Sequence, residues 1–345
     1  MILVIGATGF VGRHLTSGLL ERDLAVRALV RDPTRARAVL PAAVDLVAGD
    51  MRDPAALGAA LRGVRAVYIA VQTITRAQGP GSGDFAEAEL SGLAEIVAAC
   101  ARTGVRRIVA VGLIGTRADA SNAWVVARAR GETLLFESGL DVTVIRPGLI
   151  VGGGGVGFDG LVAAARRRVA FIRGAGTQRW RPVALEDLVA YLVGVLDRPA
   201  TYGRALDVGT DELVRYDDLG DATADVLGRP RPPKLHLPLA LLRPAAGVLE
   251  RVRRLPPGGL RAGLDHLGDD LIGDPRPIRS LVKIPLLPYR EAAERALGMA
   301  PNGAGRGPGR GVGPAPAAQV ARWGAPWPGL QTGQPHGVRP PSSGR

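Results

Sequence analysis

Three glycines near the start of the chain, Gly6, Gly9 and Gly12, have a spacing that suits the binding of a phosphorylated ligand. They follow the apolar run Ile2 to Ile5 and precede a helical pattern. The first glycine permits a tight turn, the second lets the backbone approach a pyrophosphate, and the third lets the helix pack on the strand. Free amides at the helix N-terminus then attract the anion. The pattern predicts a dinucleotide site, although a strand-to-helix turn without a ligand has the same outline.

Apolar segments alternate with helical patterns over the first 148 residues, and these predict the elements that carry the turn. The predicted strands are 2–5, 25–30, 44–48, 66–71, 107–111 and 142–146. The predicted helices are about 11–22, 34–39, 54–62, 84–103 and 122–138. Such alternation predicts an α/β fold with a doubly wound parallel sheet of the Rossmann type. A cofactor is then expected along the carboxyl ends of the strands, near the point where the strand order switches.

The pattern changes after residue 150. Gly152 to Gly155 form a glycine run just beyond a predicted strand, where a flexible loop would border a ligand. A helix is predicted at 185–198, and a strand, a turn and a helix near 204–226. We predict three parts, which are a dinucleotide-binding core at 1–150, a smaller and mainly helical substrate or lid region at 151–299 that is partly interleaved with the core, and a disordered tail at 300–345 rich in glycine, proline and arginine.

The formal charge of +12 is a feature of nucleic-acid-binding proteins, but its distribution argues against that partner. Five arginines lie in the tail, which has no acidic residue, and many of the others stand near Glu or Asp along the chain. Only Lys234 and Lys283 are lysines, and this bias is typical of a GC-rich coding sequence. We therefore do not predict a nucleic-acid interface.

Composition also bears on compartment and metal content. Cys100 is the only cysteine, so disulfides cannot hold this fold together and a reducing cytoplasm fits. The four histidines are scattered without ligand spacing, so no metal site is predicted. The start of the chain lacks the pattern of a signal peptide, and no apolar run reaches about 18 residues. We expect a cytoplasmic protein without a spanning helix.

The segment 239–253 is apolar on one side and basic on another. Such a helix could make peripheral contact with a membrane surface. A lid helix that packs over a substrate cleft is the alternative.

Further motifs follow the glycine turn in a fixed order along the chain. They are Arg31-Asp-Pro33, Gly49-Asp-Met-Arg-Asp53, Ser138-Gly-Leu140, Ile145-Arg-Pro-Gly148 and Arg181-Pro-Val-Ala-Leu-Glu-Asp-Leu-Val189. Together they resemble the atypical short-chain dehydrogenase/reductase superfamily, in the branch of NmrA-like NAD(P)-binding proteins. The resemblance covers roughly residues 1–226. Residues 229–299 are more loosely similar to the subgroup of the nucleotide-binding accessory subunit of respiratory complex I.

The resemblance implies a set of cofactor-binding residues. They are Gly6, Thr8, Gly9, Phe10, Val11, Gly12, Arg31, Asp50, Met51, Ala70, Val71, Arg128, Pro147 and Gly148. Asp50 and Met51 would border the adenine. Ala70 and Val71 would line the middle of the cofactor. The dipeptide 147–148 would lie near the nicotinamide.

The residue at the end of the second strand selects between NADP and NAD. Arg31 stands there and could pair with a ribose 2′-phosphate through charge-assisted hydrogen bonds, which favours NADP. The neighbouring Asp32 favours NAD, because a carboxylate accepts hydrogen bonds from a free 2′-hydroxyl and repels a phosphate. A solvated surface arginine without a ligand is the alternative for Arg31.

The catalytic groups of the superfamily are a Tyr-x-x-x-Lys pair and a serine, and this sequence departs from all three. The tyrosine position falls on Trp124, the lysine position on Arg128 and the serine position on Gly112 or Leu113. An indole can donate a hydrogen bond but cannot shuttle a proton. A guanidinium can hold ribose or phosphate but does not deprotonate. Proton donation by a tyrosine is therefore disfavoured.

Other residues near this segment could take over part of the role. Thr116 and Ser121 carry hydroxyls close in sequence, and Glu132 could pair with Arg128 one helical turn away. Tyr68 lies within a strand and is predicted to be a core residue. The interval between residues 69 and 190 contains no tyrosine.

Three hypotheses of function follow. The first is an NADPH-dependent oxidoreductase that acts on a small conjugated or quinone-like substrate, because such an acceptor stabilises its own charge when hydride arrives. The second is an NmrA-like redox sensor that binds NADP without turnover. The third is a structural or assembly subunit of a respiratory or membrane complex. They predict, respectively, an apolar pocket beside the nicotinamide, a closed or polar pocket there, and an exposed apolar patch on 239–253.

Overall fold

A computed structural model describes residues 1–71, 85–253, 259–266 and 268–299 of the 345-residue chain. Seven parallel strands form its central sheet in the order β11-β6-β5-β4-β1-β2-β3. These strands are β1 (Ile2–Ile5), β2 (Val26–Val30), β3 (Asp45–Ala48), β4 (Ala66–Ile69), β5 (Arg107–Val111), β6 (Asp141–Pro147) and β11 (Arg204–Val208). The strand order reverses between β1 and β4, which is the switch point where ligands bind in open α/β sheets.

Two-stranded pairs supplement the sheet after residue 148. They are formed by β7 (Leu149–Val151) with β10 (Pro182–Ala184), β8 (Ala170–Arg173) with β13 (Lys234–Leu237), and β9 (Arg179–Trp180) with β12 (Val214–Arg215). The helices are α1 (Phe10–Leu20), α2 (Pro33–Arg37), α3 (Pro54–Ala60), α4 (Phe85–Thr103), α5 (Ala123–Glu137), α6 (Val156–Ala165), α7 (Leu185–Gly194), α8 (Tyr216–Val226), α9 (Leu239–Arg253), α10 (Gly259–His266), α11 (Arg276–Leu281) and α12 (Tyr289–Ala296).

The alternation of side chains along β1 divides the interior into two layers. Ile2 and Val4 face a core that includes residues of α1 and α7, whereas Leu3 and Ile5 face a core that includes residues of α3, α4 and α5. All four side chains are buried, since helices cover both faces of a parallel sheet. Tyr68 belongs to the first layer, where its hydroxyl donates to the Leu192 carbonyl at 2.8 Å. Its prediction as a core residue is confirmed.

The predicted doubly wound sheet is confirmed, with small differences at the ends of elements. The fourth strand ends at Ile69 rather than residue 71, and α7 ends at Gly194 rather than residue 198. The seventh strand, β11, comes from beyond residue 150 and pairs with β6. The predicted tail, 300–345, lies outside the described residues.

A third core lies beside the sheet and is built by the later part of the chain. It contains Phe158 and Leu161 of α6, Leu219 of α8, and Trp180 and Tyr289. Within the described ranges, no helix has the length and apolar character needed to cross a membrane.

Candidate dinucleotide site

The turn between β1 and α1 is built as an anion cradle, here called the glycine cradle (Gly6 to Gly12). Gly6 has φ +87°, and a Cβ on it would lie 2.5 Å from the Ala70 carbonyl oxygen. A Cβ on Gly12 would lie only 2.1 Å from the Gly6 carbonyl oxygen. These two glycines are therefore required by the fold itself.

Gly9 differs from its neighbours because the backbone does not require a glycine there. It caps α1 with φ −76° and ψ 175°, angles that any residue adopts, and a Cβ would make one tight contact, 3.1 Å from the Gly6 carbonyl oxygen. The first bond from the turn into the helix joins the Arg13 amide to the Gly9 carbonyl at 3.1 Å. The preceding amides of the first turn, on residues 10–12, have no acceptor within the helix. A bare turn beside free amides fits a pyrophosphate.

The first turn of α1 is held by the predicted glycine loop. A Cβ on Gly155 would lie 2.8 Å from the Phe10 ring, and one on Gly154 would lie 2.7 Å from the Arg13 guanidinium. The run 152–155 therefore packs on the cradle helix. Burial and the charge of Arg13 lower the pKa of His14 to about 4, so its imidazole carries no charge at neutral pH.

The end of β2 presents Arg31 to solvent. Arg31 is exposed, whereas Asp32 turns back and accepts a hydrogen bond from the Arg35 amide at 3.0 Å as the N-cap of α2. This capping bond engages one oxygen of the carboxylate that favoured NAD in the sequence. The arrangement leaves an exposed guanidinium at the place where a ribose 2′-substituent is expected.

The segment after β3 places Asp50 and Met51 at the same edge of the sheet. Asp50 accepts hydrogen bonds from both the amide and Nε of Arg52, each at 3.0 Å. Although partial burial opposes ionisation, these bonds and the charges of Arg52 and Arg31 lower the pKa of Asp50 below its ordinary value. Met51 packs against α4, where a Cβ on Gly92 would lie 2.5 Å from its methyl group.

The end of β4 connects the cradle with α5. Ala70 lies against Gly6, and the Val71 carbonyl accepts a hydrogen bond from Arg128 Nη2 at 3.4 Å. Arg128 is mostly buried and forms an ion pair with Glu89 of α4, with 2.7 Å between Nη1 and Oε1. The buried carboxylate of Glu89 thus fixes the guanidinium at the edge of the sheet.

The predicted pair between Glu132 and Arg128 is wrong. Glu132 accepts hydrogen bonds from Arg146 Nε at 3.0 Å to each carboxylate oxygen, because Arg146 of β6 faces it across the sheet edge. Burial raises the pKa of Glu132 above its ordinary value, although Arg146 favours the ionised form. A Cβ on Gly112 would lie 2.8 Å from Glu132 Oε1 and 2.7 Å from a Val144 methyl. The ion pair therefore fills the space that a side chain at residue 112 would occupy.

The dipeptide 147–148 is held by backbone bonds at the carboxyl end of β6. The Pro147 carbonyl accepts from the Ile114 amide at 3.2 Å, and the Gly148 amide donates to the Val208 carbonyl at 3.1 Å. A Cβ on Gly148 would lie 2.0 Å from the Arg181 carbonyl oxygen. Close packing against the Arg181 backbone thus requires this glycine.

Trp124, together with Arg128 one helical turn along α5 and His266 in ring contact with it, is here called the acceptor corner. The Asn122 side chain starts α5 by accepting from the Trp124 amide at 2.9 Å, and it donates to the Ala262 carbonyl of α10 at 2.8 Å. α10 is thereby tied to α5. The rings of Trp124 and His266 meet edge to face, with centroids 4.9 Å apart and planes at 89°.

The two hydroxyls proposed as substitutes near this corner are not equally placed. Thr116 is buried, and its hydroxyl donates to the Leu113 carbonyl at 2.6 Å. Ser121 is exposed. The structure therefore gives the Thr116 hydroxyl a structural bond within its own turn.

Comparison with known proteins identifies the superfamily. Residues 6–170 match a family model described as NAD(P)H-binding. Sterol demethylase protein B of Methylococcus capsulatus is 30% identical over 270 residues, covering 70% of this chain and 80% of that protein. The chain belongs to the atypical short-chain dehydrogenase/reductase superfamily.

Two other matches come from a sequence comparison and a structural comparison, respectively. An NAD(P)H azoreductase of Xenophilus azovorans is 27% identical over 232 residues, covering 67% of this chain and 75% of that protein. The crystal structure of an NADPH-dependent quinone oxidoreductase from Escherichia coli, complexed with NADPH, has a TM-score of 0.66 at 20% identity and covers 86% of this chain and 100% of that chain. The second match shows the fold.

Within this superfamily the acceptor corner is unusual. Trp124 and Arg128 lie one helical turn apart on α5, at the positions that the sequence predicts for the tyrosine and lysine, and the Glu132–Arg146 pair fills the space beside Gly112, one of the two residues predicted for the serine position. The site can bind and orient through donors, since these three positions hold no group that readily gives up a proton.

Sequence reasoning missed two members of the site, Glu89 and His266. Glu89 lies in an alanine-rich helix and His266 in the less regular C-terminal part of the chain. Neither belongs to a motif, and only the packing of α4 and α10 against α5 brings them to Arg128 and Trp124.

Proposed function

We propose that this protein is an NADPH-dependent reductase of a small conjugated acceptor, of the quinone or azo class, that works without a tyrosine proton donor. The observation that carries the proposal is Trp124, whose indole N–H is buried at the tyrosine position and has no hydrogen-bond partner among the described residues. Such a group can hold an acceptor atom but cannot protonate it.

The missing acid restricts the chemistry to certain substrates. When bound, the nicotinamide nucleotide would supply a hydride. A plain ketone would need a proton at the same moment, which neither Trp124 nor Arg128 can give. A conjugated acceptor spreads the incoming charge over its own atoms and takes its proton from water afterwards. The similarity to an NAD(P)H azoreductase supports this substrate class.

The cofactor-binding residues inferred from the superfamily would divide the nucleotide among themselves. The glycine cradle, with Thr8, Phe10 and Val11, would hold the pyrophosphate, and Asp50 with Met51 would border the adenine. The remaining contacts would come from Ala70, Val71, Arg128, Pro147 and Gly148. The exposed Arg31 guanidinium and the Asp32 carboxylate that caps α2 favour NADP over NAD.

The proposal also names partners and a compartment for the protein. We propose a small-molecule substrate, no nucleic acid, and a place in the cytoplasm, since the single thiol, Cys100, is buried and unpaired.

We also propose a peripheral membrane contact through α9. Three large apolar side chains of this helix, Leu241, Val248 and Val252, are 70%, 60% and 72% exposed. Their spacing of seven and four residues places them on one face of the helix.

A spectrophotometric assay tests the reductase. The purified protein is mixed with NADPH and either 1,4-naphthoquinone, an azo dye or cyclohexanone, and the loss of NADPH absorbance is recorded. We expect oxidation with the first two acceptors only, and none in the Gly9→Val variant, which serves as a cofactor-free control. Bound nucleotide without turnover of any conjugated acceptor would overturn the proposal in favour of a redox sensor.

The membrane contact has an independent test. When anionic vesicles are sedimented, the wild-type protein should sediment with them, whereas the triple variant Leu241→Ser, Val248→Ser, Val252→Ser should stay in the supernatant. The matched control is Val156→Ser, because Val156 is 79% exposed outside α9. Equal retention of all three proteins, or no retention of the wild type, would rule out α9 as the contact.

A further inference from the structure

Three nitrogen atoms of the acceptor corner are buried without a hydrogen-bond partner in the part of the chain that the structure describes. They are Trp124 Nε1, Arg128 Nε and His266 Nδ1. Trp124 is 5% exposed and His266 is 8% exposed. An unsatisfied buried polar group destabilises the folded state, and the two ring nitrogens belong to side chains in direct contact, so this pair calls for a ligand that satisfies it.

The surroundings of these atoms define the kind of ligand. Trp124 packs with Ala262 and is flanked by Ala86 and Leu113, so the donors stand in apolar surroundings. The Asp269 carboxylate lies 3.8 Å from His266 Nδ1, which is beyond hydrogen-bonding distance. Apolar surroundings with a few donors suit a flat conjugated molecule that presents a carbonyl oxygen to them.

We propose that Trp124 and His266 together bind the carbonyl oxygen of a quinone-type acceptor, an assignment that rests on the proposed reductase function. The indole donates through Nε1, and the imidazole donates through Nδ1 in the tautomer that carries its hydrogen there. The hydride adds an electron pair to the quinone, negative charge develops on this oxygen, and the two donors stabilise it. Water supplies the proton that completes the hydroquinone.

Arg128 takes a supporting position in this arrangement. Its Nη1 is held by Glu89, and its Nη2 donates to the Val71 carbonyl, so its Nε is fixed one helical turn from Trp124. The guanidinium thereby keeps a positive charge beside the acceptor corner without giving up a proton.

Indole NMR tests the assignment without turnover. The protein is labelled with 15N-tryptophan and saturated with NADP⁺, and the Trp124 N–H signal is identified by its absence in Trp124→Phe. We expect 1,4-naphthoquinone to move this signal, whereas naphthalene, which lacks the oxygen, leaves it in place. In His266→Phe, which keeps an aromatic ring, the dissociation constant of naphthoquinone should rise about 5-fold, as expected for one lost hydrogen bond.

Control variants separate the possible failures. His236→Phe changes an exposed histidine that pairs with Asp217 and should bind naphthoquinone like the wild type. If the wild type reduces quinones but neither Trp124→Phe nor His266→Phe alters binding or KM, the two-donor assignment is overturned and the reductase proposal stands. If naphthoquinone moves the Trp124 signal but is never reduced, the assignment stands and the reductase proposal fails. A signal that moves equally with naphthalene also overturns the assignment.

Discussion

The glycine cradle and the acceptor corner meet the same edge of the sheet, but only the cradle keeps the superfamily's residues. The cradle would bind a pyrophosphate through backbone amides, and its sequence is restricted by turn geometry at Gly6 and Gly12 and by the proposed access at Gly9. The acceptor corner would depend on side-chain chemistry, and tryptophan, arginine and glycine occupy the positions predicted for the three reacting groups. Under the proposed function, cofactor binding and proton donation therefore change independently on one scaffold.

The largest expected effect on ligand binding comes from a variant that blocks access to the glycine cradle. In Gly9→Val we expect NADPH affinity to fall at least about 100-fold, because the branched side chain would cover the free amides of α1. The fold should persist, since the backbone angles at Gly9 suit any residue. Calorimetric titration with NADPH and a thermal melt measure both effects. Gly58→Ala is the control, because a Cβ at Gly58 meets nothing within 4 Å. NADPH binding by a folded Gly9→Val protein at wild-type strength would refute this placement of the pyrophosphate.

A buried carboxyl behind the cradle makes stability depend on pH. Burial raises the pKa of Asp187 from 3.8 to about 7, although its carboxylate accepts from the Leu287 amide at 2.9 Å. The folded state therefore retains a proton that the unfolded state has lost, and stability falls as pH rises from about 4 to about 7. The loss could reach about 4 kcal/mol.

The matched variant for this prediction is Asp187→Asn, which keeps an acceptor for Leu287 and cannot ionise. Urea unfolding at several pH values should show a steeper decline for the wild type than for the variant across this window. Parallel pH profiles for the two proteins would show that Asp187 titrates normally.

Breaking the ion pair of the acceptor corner should cost nearly as much. In Arg128→Met the buried Glu89 carboxylate loses the Arg128 guanidinium, and we expect the free energy of unfolding to fall by about 3 kcal/mol. Arg290→Met removes a surface pair with Glu294, in which the arginine is 61% exposed, and should change stability little. Equal losses in the free energy of unfolding of the two variants would show that the buried Glu89–Arg128 pair stabilises the fold no more than a surface pair does.

The two regions also differ in how far sequence alone could describe them. The pattern of residues 2–12 is local, and it led directly to β1, the turn and α1. The pairing of Glu132 could not be read the same way, because helical spacing favoured Arg128 while the sheet brought Arg146 closer. His266 reaches Trp124 across more than 140 residues, and no local pattern encodes that contact.

The place of the seventh strand in the sheet could not be predicted for a related reason. β11 was predicted as a strand near residue 204, but its pairing with β6 depends on a long connection through α6 and α7. Periodicity indicates that a strand exists and does not indicate its neighbour. Packing also shifts the ends of elements. The fourth strand ends at Ile69 rather than at residue 71, because Ala70 contacts the turn at Gly6.

The preference for NADPH over NADH tests the proposed role of Arg31. In Arg31→Ala we expect NADPH affinity to fall about tenfold while NADH affinity stays constant, because only the 2′-phosphate loses its charged partner. Paired titrations with the two nucleotides measure the ratio. The exposed Arg35 of the neighbouring helix α2 provides the control variant, Arg35→Ala. An unchanged ratio in Arg31→Ala would remove the argument for NADP at this position.

The smallest expected effect is the change in stability when a serine is introduced at residue 112, a position predicted for the superfamily's serine. In Gly112→Ser the new Cβ would meet the Glu132 carboxylate and a Val144 methyl, so we expect a loss of about 1 kcal/mol in stability from overpacking. The hydroxyl should bring no reduction of cyclohexanone, because Trp124 still cannot supply a proton. Chemical unfolding and the NADPH assay check the two expectations. A stable variant that reduces the ketone would show that the acceptor corner lacks only a hydroxyl, and that the exchange of tyrosine for tryptophan does not decide the chemistry.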